Sequence, residues 1–192
     1  QFEFYGIKTP LRRQICKQFY KVNPIKDHNE LSTLIKDCFN EPQRELHYFA
    51  IELLGYHKKL WCKQTIPLIE WMITHNSWWD SVDSTNSFVI SKYFLQFPEA
   101  IEPVTSKWNQ SSNKWLQRMS LLFQLLYKDK TDTALLSKYI EYTQLEKDFF
   151  IRKAIGWALR AYAYTDPKWV KNFVKTHPQL SNLSKKEALK HQ

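Results

Sequence analysis

Apolar residues recur along this chain at spacings of three and four, broken by short polar stretches. The run Leu46, Phe49, Ala50, Leu53, Leu54 shows the pattern most plainly, because these positions share one face of a helix and of no other regular element. Thr9-Pro10 supplies a cap and a proline at the first position, and Leu11, Ile15 and Phe19 then mark one face of a first helix over 10–22. The same reading predicts helices over 27–39, 42–58, 63–75, 78–96, 100–109, 113–127, 132–142, 148–163, 167–176 and 184–190. Connections this short predict antiparallel neighbours.

A longer period lies over the short one. Trp79, Trp115 and Phe150 stand near the starts of the second helices of successive predicted pairs, at separations of 36 and 35 residues. Helical-pair repeats have periods of this size and stack into solenoids. The expected fold is therefore all-α, with HEAT-like helical-pair repeats forming a right-handed solenoid whose concave face is basic, in a single domain over 1–192.

Composition supports the helical reading and suggests a partner. Three glycines in 192 residues, and prolines placed near segment starts, leave little for hairpins. The formal charge is +9 with 16% aromatic residues, a balance that suits a polyanion such as nucleic acid. Cys16, Cys38 and Cys62 are odd in number and widely spaced, so neither a disulfide framework nor a zinc site is expected, and a reducing cytosol fits. No apolar run reaches the roughly 18 residues of a membrane span.

Chemistry is concentrated in Ser77-Trp78-Trp79-Asp80-Ser81-Val82-Asp83. Ser77 followed by Asp80 reads as a helix cap with its acidic partner, which gives Asp80 a structural duty. Asp83 has none by that reasoning. It stands four residues after Trp79, so an indole and a carboxylate emerge on one face. If the second helix of each pair lines the concave surface, Lys114, Arg118, Arg152, Lys153 and Trp157 share that surface, and cations interleave with indoles. Such a surface contacts phosphates whatever the base sequence, and there a lone anion weakens binding unless it pairs or performs chemistry. His28, His47, His57, His75, His177 and His191 show no metal-ligand spacing, and no glycine-rich phosphate loop or nucleophile elbow is present. Trp61, Trp71, Trp108 and Trp169 are expected in the core between repeats.

The segments Phe4-Tyr5-Gly6-Ile7-Lys8-Thr9-Pro10-Leu11-Arg12-Arg13, Asn76 to Asp83, Trp115-Leu116-Gln117-Arg118, Phe149 to Arg160 and Leu183 to Leu189 together resemble the AlkD-type DNA alkylation repair glycosylases, proteins of HEAT-like repeats. The resemblance implies hydrolysis of the N-glycosidic bond of cationic N-alkylated purines, 3-methyladenine and 7-methylguanine, in duplex DNA without base flipping. It implies Asp83 as the catalytic carboxylate, Trp79 and Trp157 as indoles flanking the deoxyribose, and Arg118 as a helper that grips a phosphate near Asp83. DNA contacts are expected from Lys8, Lys114, Arg152, Lys153, Arg160, Lys185 and Lys186, with Tyr5 a further strand contact. Neither a metal nor a nucleotide cofactor is implied, and the expected protein is a monomer of the bacterial cytosol and nucleoid without membrane association. Family members also carry a short N-terminal helix that holds the damaged strand, and it would precede Gln1. A non-catalytic repeat module that binds DNA structure or a protein would share the fold and charge, and Asp83 separates the two readings.

Overall fold

A computed structural model describes residues 2–190; Gln1, His191 and Gln192, which the expected domain and the histidine survey include, lie outside the described residues. All regular elements among the described residues are helical. The nearest approach to a strand is an isolated parallel bridge between Glu3 and Gln43. The chain divides after Tyr93 into two compact units.

The first unit holds α1 (Thr9–Val22), α2 (His28–Asn40), α3 (Arg44–Tyr56), α4 (Thr65–Thr74) and α5 (Trp79–Thr85), which continues as a π-helical turn over Asn86–Ile90. Its core gathers Leu31, Ile35 and Phe39 of α2, Leu53 and Leu54 of α3, and Ile69 and Ile73 of α4, all of them buried. Phe49 of the predicted stripe remains half-buried, beside Phe19 and Tyr20 of α1.

Helix α1 departs from expectation in two ways. Lys8, not Thr9, occupies the cap position, and it makes no side-chain cap bond. Leu11 and Ile15 are about half exposed, at 54% and 48%, whereas Arg12 and Cys16 are buried. The cause is an ion pair: both terminal nitrogens of Arg12 donate to Glu52 of α3, at 3.1 and 2.9 Å, and this turns the Arg12 face inward.

The second unit holds α7 (Ile101–Asn109), α8 (Lys114–Leu122), α9 (Thr133–Thr143), α10 (Phe149–Ala163), α11 (Pro167–Thr176) and α12 (Asn182–Ala188), after α6 (Ser91–Gln96) has carried the chain into it. Side-chain caps set several of these starts. Asn113 accepts from the Trp115 and Leu116 amides, Asp132 from Leu135, and Asp148 from Phe150 and Ile151, each satisfying amides that a helix leaves unpaired. Helix α10 lies centrally, packed on α8, α11 and α12. Gly156 permits the close contact with α12, since a Cβ there would stand 2.5 Å from Glu187 Cβ and 2.8 Å from the Ser184 carbonyl.

The predicted helix over 113–127 stops at Leu122, and that over 184–190 runs two residues earlier, as Asn182–Ala188, because Ser181 caps it. Trp61 and Trp108 are buried as expected, whereas Trp71 and Trp169 are partly exposed and stack on His75 and Phe173. Cys16, Cys38 and Cys62 are free thiols. No described helix is long and apolar enough to cross a membrane.

Candidate active site

Helix α5 begins at Trp79, so Trp78 takes the cap position and Ser77 lies outside the helix. The Ser77 hydroxyl instead donates to the Ile73 carbonyl at the end of α4. Asp80 is likewise more than a cap. Its carboxylate accepts from the Ser81 amide at 2.7 Å, but also from Arg44 Nη2 at 2.6 Å and from the Tyr48 hydroxyl at 2.5 Å. Capping was therefore the lesser part of its duty. Arg44 is fully buried, and its remaining donors reach the Asn76 carbonyl at 2.7 Å and the Ser81 hydroxyl at 2.6 Å.

His47 completes this network as a neutral ring. Arg44 can only donate, so Nδ1 of His47 accepts from Nη1 at 2.9 Å, and its Nε2 donates to the Glu41 carbonyl at 2.9 Å. Burial, with the Arg44 charge adding to it, lowers the His47 pKa. Burial works against ionisation of Asp80 as well, but the hydrogen bonds from Arg44 and Tyr48 outweigh it, and the carboxyl is held below its ordinary range. Tyr48 is pushed up to about 12 by burial and by the neighbouring carboxylate.

One turn further on the outlook changes. Asp83 is half-buried on the same helix, and Trp79 is 50% exposed. The pair of buried Arg44 and partly exposed Asp80 thus fixes the start of the helix, while Trp79 is half-exposed and Asp83 half-buried one turn apart. The helix is shaped again just after Asp83, where the π turn inserts one residue and the Ser87 hydroxyl donates to the Asp83 carbonyl at 3.0 Å. Gly55 of α3 makes room for this turn, because a Cβ there would stand 2.9 Å from the Phe88 carbonyl.

In the second unit Arg118 and Trp157 come together. The guanidinium carbon lies 5.8 Å from the Trp157 ring centroid, and Nη1 donates to the Phe150 carbonyl at 2.6 Å. Arg118 is only 4% exposed, so it is part of the packing between α8 and α10 and not an open surface cation. The aromatics of the long period meet here too: Trp115 and Phe150 have centroids 4.9 Å apart, and Lys114 lies over both rings while pairing with Asp148 at 3.5 Å.

The other cations expected to meet DNA divide by environment. Lys153 and Arg160 share Glu187, at 2.9 and 2.5 Å, and those bonds hold its carboxyl below the usual range. Arg152 donates to the Glu146 carbonyl at 2.9 Å, and Lys185 to that of Pro178 at 2.7 Å. Lys8 and Lys186 are exposed. Tyr5 is 58% exposed and its amide donates to Glu45, whose carboxylate also receives the Gly6 and Ile7 amides. Sequence reasoning did not single out Arg44, Tyr48, Glu45 or Glu187. The separation of Arg44 and Asp80, 36 residues, equals the long period and was the available signal.

The family model for DNA alkylation repair enzymes matches residues 1–192. The chain belongs to this DNA alkylation repair enzyme family. Among solved structures it is similar to a protein described as a predicted DNA alkylation repair enzyme from Enterococcus faecalis, at 30% identity and a TM-score of 0.88, covering 99% of this chain and 88% of that one. No curated protein matches the chain. Family membership gives this all-α chain a role in DNA alkylation repair, and DNA is the partner to set against its charge of +9.

Proposed function

We propose that the protein is a monofunctional DNA glycosylase that hydrolyses the N-glycosidic bond of cationic N-alkylated purines such as 3-methyladenine and 7-methylguanine. The observation that carries the reading is the pairing, on one helix of a DNA alkylation repair family member, of a half-buried carboxylate, Asp83, with the half-exposed indole of Trp79 one turn before it.

Alkylation at a ring nitrogen leaves a cationic base that departs neutral, so no general acid is needed. What must be stabilised is positive charge growing on the sugar, and water must reach C1′. A carboxylate serves both needs. At about 4 Å and an effective dielectric of about 20, one carboxylate facing one unit charge is worth roughly 4 kcal/mol, of which only the part gained in the transition state accelerates the reaction. In this reading Trp79 favours the sugar's cation through its ring face by about 1 kcal/mol, and the resemblance gives Trp157 the same role. Arg118, buried against the Phe150 carbonyl and close to Trp157, suits a positioning role for that indole better than a grip on phosphate. Lys8, Lys114, Arg152, Lys153, Arg160, Lys185 and Lys186 serve the phosphates, in a monomer acting on the intact duplex from its backbone side in the bacterial cytosol, and HEAT-like repeats are the architecture that suits this work.

The test is chemical. Duplex DNA methylated at purine nitrogens is incubated with the protein, and free bases are identified by mass spectrometry. Release of methylated bases with matching abasic sites is expected, and intact DNA after exhaustive incubation would overturn the reading in favour of a binding module.

A further inference from the structure

Helix α5, its π turn and the start of α6 form one continuous helical stretch whose buried residues recur every four positions. Ser81, Thr85, Val89 and Tyr93 are at most 2% exposed, and so are Val82, Asn86 and Ile90, which follow the first three. An α-helix cannot keep such a row on one face. It advances about 100° per residue, so each four-residue step overshoots a full turn by about 40°, and from Ser81 to Tyr93 the drift reaches about 120°. A single turn closed to the fifth residue takes up one extra residue, about 100°, and removes most of that drift. The π turn over Asn86–Ile90 stands where the correction is needed. The row is hidden in the sequence, since Ser81, Thr85 and Asn86 are polar.

Both ends of the stretch are held. At its start Asp80 receives Arg44 and Tyr48 of α3, and at its end the Tyr93 hydroxyl donates to the Cys62 carbonyl at 3.1 Å. Asp83 lies between these anchors, and the turn that absorbs the difference in register follows it. The two are bonded: the Asn86 amide and the Ser87 hydroxyl both donate to the Asp83 carbonyl, the hydroxyl at 3.0 Å. On its other side the turn packs on α3 at Gly55, where an added Cβ would stand 2.9 Å from the carbonyl oxygen and 3.4 Å from the Cβ of Phe88. That oxygen belongs to the backbone, so a methyl group at Gly55 displaces the turn itself and not the end of a flexible side chain. Turns of this kind recur at functional sites.

We propose that Gly55 is a positioning residue for base release: it leaves the space in which the π turn absorbs the extra residue, and so sets the direction of the Asp83 carboxylate while the buried row stays in the core. With the turn displaced and both ends fixed, the residues between them must rotate, and Asp83 turns with them. The inference rests on the glycosylase reading for the chemistry of Asp83, and on the helix register alone for its direction.

The experiment compares wild type and Gly55→Ala in single-turnover release of 7-methylguanine and in the dissociation constant for undamaged duplex. Release is expected to slow about ten- to a hundred-fold, as for a reacting group displaced by about 1 Å, while the dissociation constant stays within about two-fold. An unchanged release rate, or a loss matched by weaker binding, would overturn the proposal. Deleting Phe88 from Gly55→Ala removes the extra residue, so that the buried row falls at steps an ordinary α-helix keeps, and is expected to restore melting temperature and release together. A deletion variant no better than Gly55→Ala would overturn the proposal, even where the single substitution unfolds the protein. A further readout is independent of activity: the rate at which iodoacetamide alkylates the thiol of Asp83→Cys, located by peptide mass spectrometry, is expected to change about three-fold or more when Gly55→Ala is added. Equal rates would overturn the positioning role whether or not any base is released. A changed rate in a protein whose wild type releases no base would support the positioning of Asp83 and sink the glycosylase reading alone.

Discussion

Asp80 and Asp83 lie three residues apart on α5, and their surroundings assign them different work. Asp80 neutralises a buried arginine, and removing its charge leaves Arg44 in the core without its counter-ion. Breaking one side of such a pair costs about 3 kcal/mol. Asp80→Asn should therefore lower the melting temperature markedly near neutral pH. The effect should also depend on pH in a defined direction. The folded pKa of Asp80 is depressed, so its contribution is complete above the ordinary carboxylate range, near pH 5 and higher, and is lost as the pH falls through the folded value. The gap in melting temperature between wild type and Asp80→Asn should narrow below about pH 4. A gap that is constant from pH 7 to pH 3 would show that the carboxylate charge is not what stabilises the helix start. Glu187, depressed by Lys153 and Arg160, adds to the loss of stability in acid with the same sign.

At the scale of elements, two glycines mark where helices approach most closely. Gly55 accommodates the π turn behind Asp83, and Gly156 accommodates α12, which carries Glu187 to Lys153 and Arg160. Adding a methyl group at Gly156 forces α12 away from α10, and overpacking of this kind costs about 1–3 kcal/mol. Gly156→Ala should be the more destabilising substitution, and Gly55→Ala the milder, in urea denaturation, since the methyl at Gly156 meets two atoms of α12 closer than 3.0 Å and that at Gly55 only one. Equal stability of Gly156→Ala and wild type would mean that α12 gives way to the added methyl group at no cost. Apolar spacing made nearly all of these helices legible in the sequence, because burial on one face leaves a regular trace. What it could not reveal was decided by polar contacts between elements. The Arg12–Glu52 pair turned α1 away from the face marked by Leu11 and Ile15, and the Ser77 hydroxyl went to the Ile73 carbonyl while Arg44 and Tyr48 took the Asp80 carboxylate. The π turn left no trace at all, since its five residues continue a helical pattern without glycine or proline.

For the whole molecule, the charge of +9 is a statement about affinity for a polyanion, and the structure divides the cations that could act on it. Lys153 and Arg160 are partly neutralised by Glu187, whereas Lys8 and Lys186 are exposed. Lys8→Ala and Lys186→Ala should each weaken binding to undamaged duplex and reduce the slope of log affinity against log salt by about one, as expected for one lost phosphate contact. Slopes unchanged in both variants would remove these residues from the interface. The candidate site was legible to the extent that Trp79 and Asp83 share a helix face and the aromatic period brings Trp115 to Phe150. The burial of Arg118 was not, because nothing in its spacing distinguishes a guanidinium packed on a carbonyl from one in solvent.

The central claim is that Asp83 carries the chemistry. The most direct measurement is the single-turnover rate of 7-methylguanine release from one methylated duplex by wild type and by Asp83→Asn, with binding to undamaged DNA measured alongside. Loss of one group that stabilises transition-state charge typically slows a reaction by about 10²–10³-fold. A decrease of that size, with undamaged DNA bound at least as well because an anion has been removed, is the predicted result. Release at the wild-type rate by Asp83→Asn would contradict it.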